Sequence, residues 1–326
     1  MKALVIGAGA VGARVARQLL SSDDVEHVVV RETDDRRADA VLESLGSDAS
    51  RDDGTVAVDA AVLALPAGLH ADLAADLVRA GVDVVSVGDA IGDVERMLDL
   101  DHEARERGRA IVVGAGFSPG LSCLLAAHAA TGFDEVDEIH VARAGTGGPA
   151  CAVQHHEALA EHAIDWRDGG WVRRSGGSGR ELCWFPDPIG GRDCYRAALP
   201  DALLLVPAFP GVKRVTARLA ATRRDRLTTR LPMLRRPHPE GGPGGLRVEV
   251  RGRRGTASDV RVLGAMDHPA LAAATVAAVT ARWCGAGRLE RSGAAGLASM
   301  VEPRSFLEEL RERGVRAAVF EGSATA

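Results

Sequence analysis

The sequence predicts an α/β protein: a doubly wound parallel sheet, then a second α+β domain built on a mostly antiparallel sheet. Three observations predict it. A short apolar run, Ala3–Ile6, passes through three spaced glycines into a helical stripe at Val11, Val15 and Leu19. Apolar runs then alternate with helical stretches as far as about Val113, which is how a parallel sheet reads. From about Val136 the rhythm changes and strand-like runs dominate.

Each element has its own reason. Ala3–Ile6 is short and wholly apolar, as a parallel strand buried on both faces must be. Gly7, Gly9 and Gly12 follow as G-x-G-x-x-G between strand and helix, the context that gives this motif meaning. The first glycine permits the tight turn, the second lets backbone approach a pyrophosphate, and the third lets helix and strand pack. The helix start then offers unbonded N–H groups and partial positive charge to phosphate. This is the fingerprint of a Rossmann dinucleotide cradle, with Gly7, Gly9, Ala10, Val11 and Gly12 around the pyrophosphate.

A second strand, Val25–Arg31, ends at Glu32, twenty residues past Gly12. An acid there holds the adenosine ribose of NAD. A carboxylate beside a 2′-phosphate costs on the order of 1 to 4 kcal/mol at ~4 Å. The expected cofactor is NAD. NADP stays open, because Arg31, Arg36 and Arg37 lie close enough in sequence to clamp a phosphate.

The alternation continues with strands at Ala60–Leu65, Val82–Val87 and Ala110–Val113, and helices at His70–Ala80 and Asp99–Arg107. Ligands bind beyond the carboxyl ends of such strands. Leu65, Pro66, Gly88 and Asp89 are therefore expected to line the nicotinamide end. In the second domain, strands are expected at Val136–Arg143, Ala202–Val206, Val212–Thr222, Leu246–Arg254 and Ser258–Leu263. Pro269–Trp283 reads as an alanine-rich helix with Pro in its first turn. Ser305-Phe-Leu-Glu308 reads as a capping box, and Val315–Phe320 as a last strand. The expected division is a nucleotide domain at 1–122 and a substrate and dimerisation domain at 123–294. The segment 295–326 is expected to pack back on the first domain.

Composition excludes several classes. The 326 residues carry a net charge of −5 and only 3% aromatics, so neither a basic field nor stacking platforms advertise nucleic acid. Fourteen basic residues against four acidic ones between Lys213 and Arg261 read as a solvated sheet face or as capture of a carboxylate. No apolar run reaches the ~18 residues a bilayer demands. The N-terminal stretch runs on into Arg14 and Arg17, against a secretion signal. The five cysteines form no CxxC pair, which fits reduced thiols and the cytoplasm.

At GAGFSPGLSCLLA, Gly114–Ala126, the chain resembles the saccharopine dehydrogenase-like family. Its saccharopine reductase and lysine 6-dehydrogenase members carry a similar glycine, Phe, Asp-Pro-Gly, Leu-Ser run. The turns LALPAGLH and VSVGD and the segment WFPDPIGG, Trp184–Gly191, are also similar. The resemblance implies a Rossmann domain, an inserted sheet domain and a homodimer. It also implies hydride exchange between a nicotinamide and a carbon–nitrogen bond of an amino acid, with Phe117, Ser118, Pro119 and Gly120 meeting the substrate. This chain departs at Ser118, where the family has Asp, and at Cys123, where it has Asn. Two other readings stay open: reduction of a carbonyl or enoyl group, and a non-catalytic NAD(H)-sensing subunit.

Few residues can move a proton. The chain has two lysines, Lys2 and Lys213, and one tyrosine, Tyr195. His70, which opens a helix at the cofactor edge, and Tyr195 are the catalytic candidates. Ser118-Pro119 also reads simply as the N-cap and first position of a helix. In QHHEALAEH, His156-Glu157 is followed by Ala160 where H-E-x-x-H needs histidine, so no metal is expected. His155 or His156 is a candidate to face substrate.

Overall fold

The computed structural model describes residues 1–231, 233 and 237–320. The chain divides into two units, Met1–Leu121 with Ala270–Glu302, and Ser122–Pro269 with the segment from Pro303 onward.

The first unit opens with β1 (Lys2–Ile6), α1 (Gly12–Leu20), β2 (His27–Arg31), α2 (Asp35–Leu45) and β3 (Ala49–Arg51). It continues with β4 (Ala60–Leu63), α3 (His70–Arg79), β5 (Asp83–Ser86), α4 (Ile91–Leu98), α5 (Asp101–Glu106) and β6 (Ala110–Val112). The strands lie in the order β6-β5-β4-β1-β2-β3 and are all parallel. All four residues of β4 are fully buried, as are Ala3 and Val5 of β1. That explains their uninterrupted apolar sequence, because helices cover both faces of such a sheet. Helix α1 buries Gly12, Val15, Ala16 and Leu19 along one stripe.

The second unit follows with α6 (Leu121–Ala130), β7 (Glu135–Ala144), α7 (Pro149–Ala158), β8 (His162–Arg167), β9 (Gly170–Ser175), β10 (Glu181–Phe185) and β11 (Gly190–Tyr195). Then come α8 (Asp201–Leu205), β12 (Arg214–Ala220), α9 (Arg223–Thr228), β13 (Gly244–Arg254) and β14 (Ala257–Asp267). The main path runs β10-β11-β12-β7-β13-β14, antiparallel except for the β12–β7 pair. The β8–β9 hairpin joins through β12. One expected strand is a helix: Ala202–Val206 lies mostly in α8. A short apolar run fits either state, and here Asp201 begins a helical turn.

Two corrections concern the closing segments. Helix α10 (Pro269–Gly285) belongs from Ala270 to the first unit, and β15 (Gly293–Ala295) extends that sheet beside β6. The return to the first unit thus begins well before residue 295. Helix α11 (Pro303–Glu312) and β16 (Ala317–Phe320) instead belong to the second unit, with β16 antiparallel to β14. The reasons are physical. Ala272, Ala274, Val276, Ala277, Ala278 and Val279 of α10 are all fully buried, so its sequence shows no polar face to orient it. An edge strand such as β14 pairs with any extended segment that can reach it. Ser305 sits inside α11 rather than at its cap. Residues 321–326 of the expected C-terminal segment lie outside the described residues.

Candidate cofactor site

The glycine loop divides its work among its three glycines. Gly7 has φ +93°, and a Cβ there would stand 2.4 Å from the Ala64 carbonyl oxygen. Its N–H donates to the Arg31 carbonyl at 2.8 Å, tying the end of β1 to β2. Gly12 packs so close to the turn that a Cβ would lie 1.8 Å from the Gly7 carbonyl oxygen. Gly9 differs: a Cβ there would meet nothing within 4 Å. The first and third glycines close the turn, and the second leaves an open surface over it. No side chain caps the start of α1 at Val11, while the N–H groups of Ala13 and Arg14 donate to the Gly9 and Val11 carbonyls at 3.1 and 3.0 Å. Ala10 and Val11 are half-buried beside this opening.

Glu32 ends β2 against this loop. Its Oε2 accepts from the Ala8 N–H at 2.8 Å, and its Oε1 from the N–H groups of Thr33 and Asp34 at 2.8 and 3.0 Å. Arg37 Nη1 lies 3.3 Å from Oε2. Burial raises the carboxyl's pKa, but the backbone donors and the Arg37 charge outweigh it, so the net shift is downward. The neighbouring cations are also engaged. Arg31 pairs with Asp52 at 2.5 Å, and Arg51 with Asp35 and Asp39 at 2.6 and 3.0 Å. Arg37 also lies 3.6 Å from Asp34, and Arg36 is exposed.

At the other end of the sheet, Leu65 is half-buried and Pro66 exposed after β4; Gly88 is buried and Asp89 half-buried after β5. His70 links these two turns and is fully buried. Its Nε2 lies 2.9 Å from the Leu65 carbonyl oxygen, and its Nδ1 lies 2.9 Å from Ser86 Oγ. Desolvation lowers its pKa, against the opposing pull of the Leu65 carbonyl and the Asp93 and Asp89 charges, so the ring stays neutral. Both nitrogens are committed and no ring atom reaches solvent. This geometry does not fit the proton-transfer role expected of His70 from the sequence. Ser86 and Asp93 were not anticipated. Asp93 accepts from the Gly68 N–H at 2.6 Å, pinning the same turn. The alternation signal showed where the strands end but not which side chains join them.

Phe117, Ser118, Pro119 and Gly120 are all buried. Their loop closes on itself: the Gly116 N–H donates to the Pro119 carbonyl, and the Leu121 N–H to that of Gly116, both at 2.9 Å. The Ser118–Pro119 peptide bond is cis and α6 begins at Leu121, so Ser118 is not the N-cap its sequence suggested. Gly120, at φ +126°, would place a Cβ 2.2 Å from the Gly116 carbonyl oxygen.

In the second unit, Tyr195 lies on β11 with 1% exposure, and its hydroxyl has no hydrogen-bond partner among the described residues. The Arg226 guanidinium stands 4.7 Å over its ring. Register places Tyr195, Leu219, Arg143 and Leu246 in one row across four strands. Arg143 is buried, with Nη2 3.9 Å from Cys151 Sγ, and that sulfur lies 3.4 Å from His155 Nε2. His156 Nε2 sits 3.0 Å from the carbonyl oxygens of Thr228 and Leu231. His162 lies on strand β8, because α7 ends at Ala158. Lys213 pairs with Asp137 at 2.7 Å on the surface. Arg143 was missed because a lone arginine inside a strand pattern carries no signal of burial.

Taken together, the glycine loop, the acid after β2 and the parallel sheet define a dinucleotide-binding Rossmann unit. Residues 1–115 match a family model described as the oxidoreductase family with an NAD-binding Rossmann fold. The whole chain is similar in fold to saccharopine dehydrogenase (L-Glu forming) from Saccharomyces cerevisiae, with TM-score 0.71 and 14% identity over 98% of this chain and 99% of that one. An amine dehydrogenase from Mycobacterium smegmatis gives TM-score 0.55 and 13% identity, covering 93% and 97%. A DAP dehydrogenase from C. glutamicum gives 0.51 and 15%, covering 97% and 99%. No helix among the described residues is long and apolar enough to cross a membrane.

Proposed function

We propose that the protein is an NAD-dependent dehydrogenase or reductase acting on a CH–NH bond of an amino acid or of an imine derived from one. The observation that carries this is the end-to-end fold similarity to saccharopine dehydrogenase, covering nearly all of both chains. In this reading Gly7, Gly9, Ala10, Val11 and Gly12 hold the pyrophosphate. Gly9 supplies the open backbone surface where a side chain would collide with the ligand. Glu32 meets the adenosine ribose, and Leu65, Pro66, Gly88 and Asp89 line the nicotinamide half. Nicotinamide, when bound, supplies the hydride acceptor or donor. The chain's own residues orient the cofactor and exclude water from it.

NAD is favoured over NADP because Glu32 is surrounded by carboxylates that already hold Arg31, Arg37 and Arg51. To recruit any of these three, a 2′-phosphate would have to displace its pair and face the freed acid. The Phe117–Gly120 loop is buried and closed by its own backbone hydrogen bonds, which suits it to shaping the reaction site rather than moving protons. His70 is committed to structure and the Tyr195 hydroxyl is as deeply buried, so this reading assigns proton transfer to neither.

Purified protein would be offered amino acids, simple amines, polyols and ketones, with NAD or NADH and its absorbance followed. Turnover with amino acids and NAD supports the proposal. Turnover confined to polyols or ketones, or none with any class, overturns it.

A further inference from the structure

His70 does structural work of a particular kind. The Leu65 carbonyl can only accept, so Nε2 carries the ring proton and donates it at 2.9 Å. Nδ1 therefore accepts, from the Ser86 hydroxyl at 2.9 Å. Ser86 Oγ in turn accepts from the Gly88 N–H at 3.1 Å. The chain of bonds is complete: each donor meets an acceptor, and the neutral tautomer is the one that satisfies both ends. Gly88 also lies against the ring face. A Cβ on Gly88 would sit 3.1 to 3.2 Å from three ring atoms, tighter than ordinary contact.

The place of this bridge matters. The last ladder bond between β4 and β5 runs from the Val87 N–H to the Leu63 carbonyl at 3.1 Å. Beyond it the two turns diverge, and the imidazole fills the gap between Leu65 on one and Ser86–Gly88 on the other. In the sheet, β1 lies between β4 and β2. A dinucleotide with its pyrophosphate on the β1 loop and its adenosine by Glu32 at β2 must extend its other half over β4 and β5.

We propose that His70 is a positioning residue for the nicotinamide half of the dinucleotide, setting the separation of the Leu65–Pro66 and Gly88–Asp89 turns through one neutral imidazole. The proposal rests on the reading of the first unit as an NAD site. His70 touches neither cofactor nor substrate in this role. It fixes the two turns that do.

The test compares two ligands that share the adenosine and pyrophosphate: NADH, and ADP-ribose, which lacks nicotinamide. Each is titrated by fluorescence or calorimetry against wild type, His70→Ala, His70→Gln and Ser86→Ala, with thermal melts of each protein. His70→Ala should weaken NADH about tenfold while ADP-ribose moves less than about twofold, the difference of one to two hydrogen bonds. His70→Gln, whose carboxamide can donate and accept, should recover part of the loss. Ser86→Ala, a smaller change that keeps the ring, should show the same selectivity at about threefold.

Equal loss of both ligands across the variants makes His70 a general fold residue and overturns the proposal. Unchanged NADH affinity in well-folded His70→Gln and Ser86→Ala also overturns it. If wild type binds neither ligand, the cofactor reading itself falls and the proposal falls with it. That outcome is visible before any variant is made.

Discussion

The carbonyl oxygen of Gly7 occupies the space that a side chain on Gly12 would need, 1.8 Å from an ideal Cβ. Gly9, between them in sequence, faces open space. Two glycines of one motif therefore answer to different forces, and substitution should separate them. Gly12→Ala forces backbone apart and should cost the fold about 1–3 kcal/mol or more, read as a lowered urea midpoint. Gly9→Ala has room and no positive φ to strain it, so its midpoint should stay within about 0.5 kcal/mol of wild type. Its NADH affinity should nonetheless fall by tenfold or more, because the new methyl projects into the cradle. A Gly9→Ala protein that binds NADH normally would remove the pyrophosphate from this loop.

Glu32 links the loop to β2 through the Ala8 N–H and should matter to stability as well as to cofactor choice. Its folded pKa lies below the ordinary glutamate value, because backbone donors and Arg37 outweigh the cost of burial. A carboxyl shifted this way stabilises the fold above its unfolded pKa of about 4.3 and loses that contribution as pH falls through the folded value. Melting temperatures of wild type and Glu32→Gln should therefore differ most near neutral pH and converge below about pH 4. A constant gap down to acid would place the effect in packing rather than charge. At neutral pH, Glu32→Ala should also erode the preference for NADH over NADPH.

Much of the first unit was legible because its determinants are local. The apolar run of β1, the glycine spacing and the stripe of α1 are set by neighbours a few residues away, and Glu32 stood where the motif requires an acid. The placement of α10 was not legible. Its small apolar residues point in every direction, so nothing in the sequence says which sheet it covers. Nor was the fate of His70. A histidine opening a helix reads the same whether it faces solvent or, as here, joins Leu65 to Ser86 from 5 and 16 residues away. Helix α7 ends at Ala158, and its early end put His162 on another element, which the continuous QHHEALAEH run concealed.

Tyr195 offers a direct separation of stability from substrate contact. Its hydroxyl is buried without a hydrogen-bond partner among the described residues, a cost to the folded state that Tyr195→Phe removes. The variant should melt at or slightly above the wild-type temperature, since the ring and its stacking with Arg226 persist. With the hydroxyl shut away from solvent, KM and NADH affinity should both stay within about twofold of wild type. A several-fold rise in KM would instead place the hydroxyl against substrate.

Arg218 and Asp165 test the second unit's charged interior. The Arg218 side chain is 5% exposed and its Nη1 lies 3.5 Å from Asp165 Oδ1, while Arg196 Nε lies 3.5 Å from Asp165 Oδ2. Arg218 Nη1 also donates to the Ala217 carbonyl at 3.0 Å. One carboxylate thus stands between two guanidinium groups. Asp165→Ala leaves Arg218 only Glu181, whose Oε2 lies 3.8 Å from its Nε, and leaves Arg196 partly exposed, so it should cost about 3 kcal/mol, the low end for a broken buried pair. Arg218→Met removes the buried charge along with part of its need for a partner, so it should cost less. In the double variant the two losses should not add: stability should recover by about 1–3 kcal/mol relative to their sum. Urea midpoints of the four proteins measure this coupling directly. Strict additivity would mean that Asp165 acts mainly through Arg196, and Arg196→Met would then be the partner that rescues Asp165→Ala.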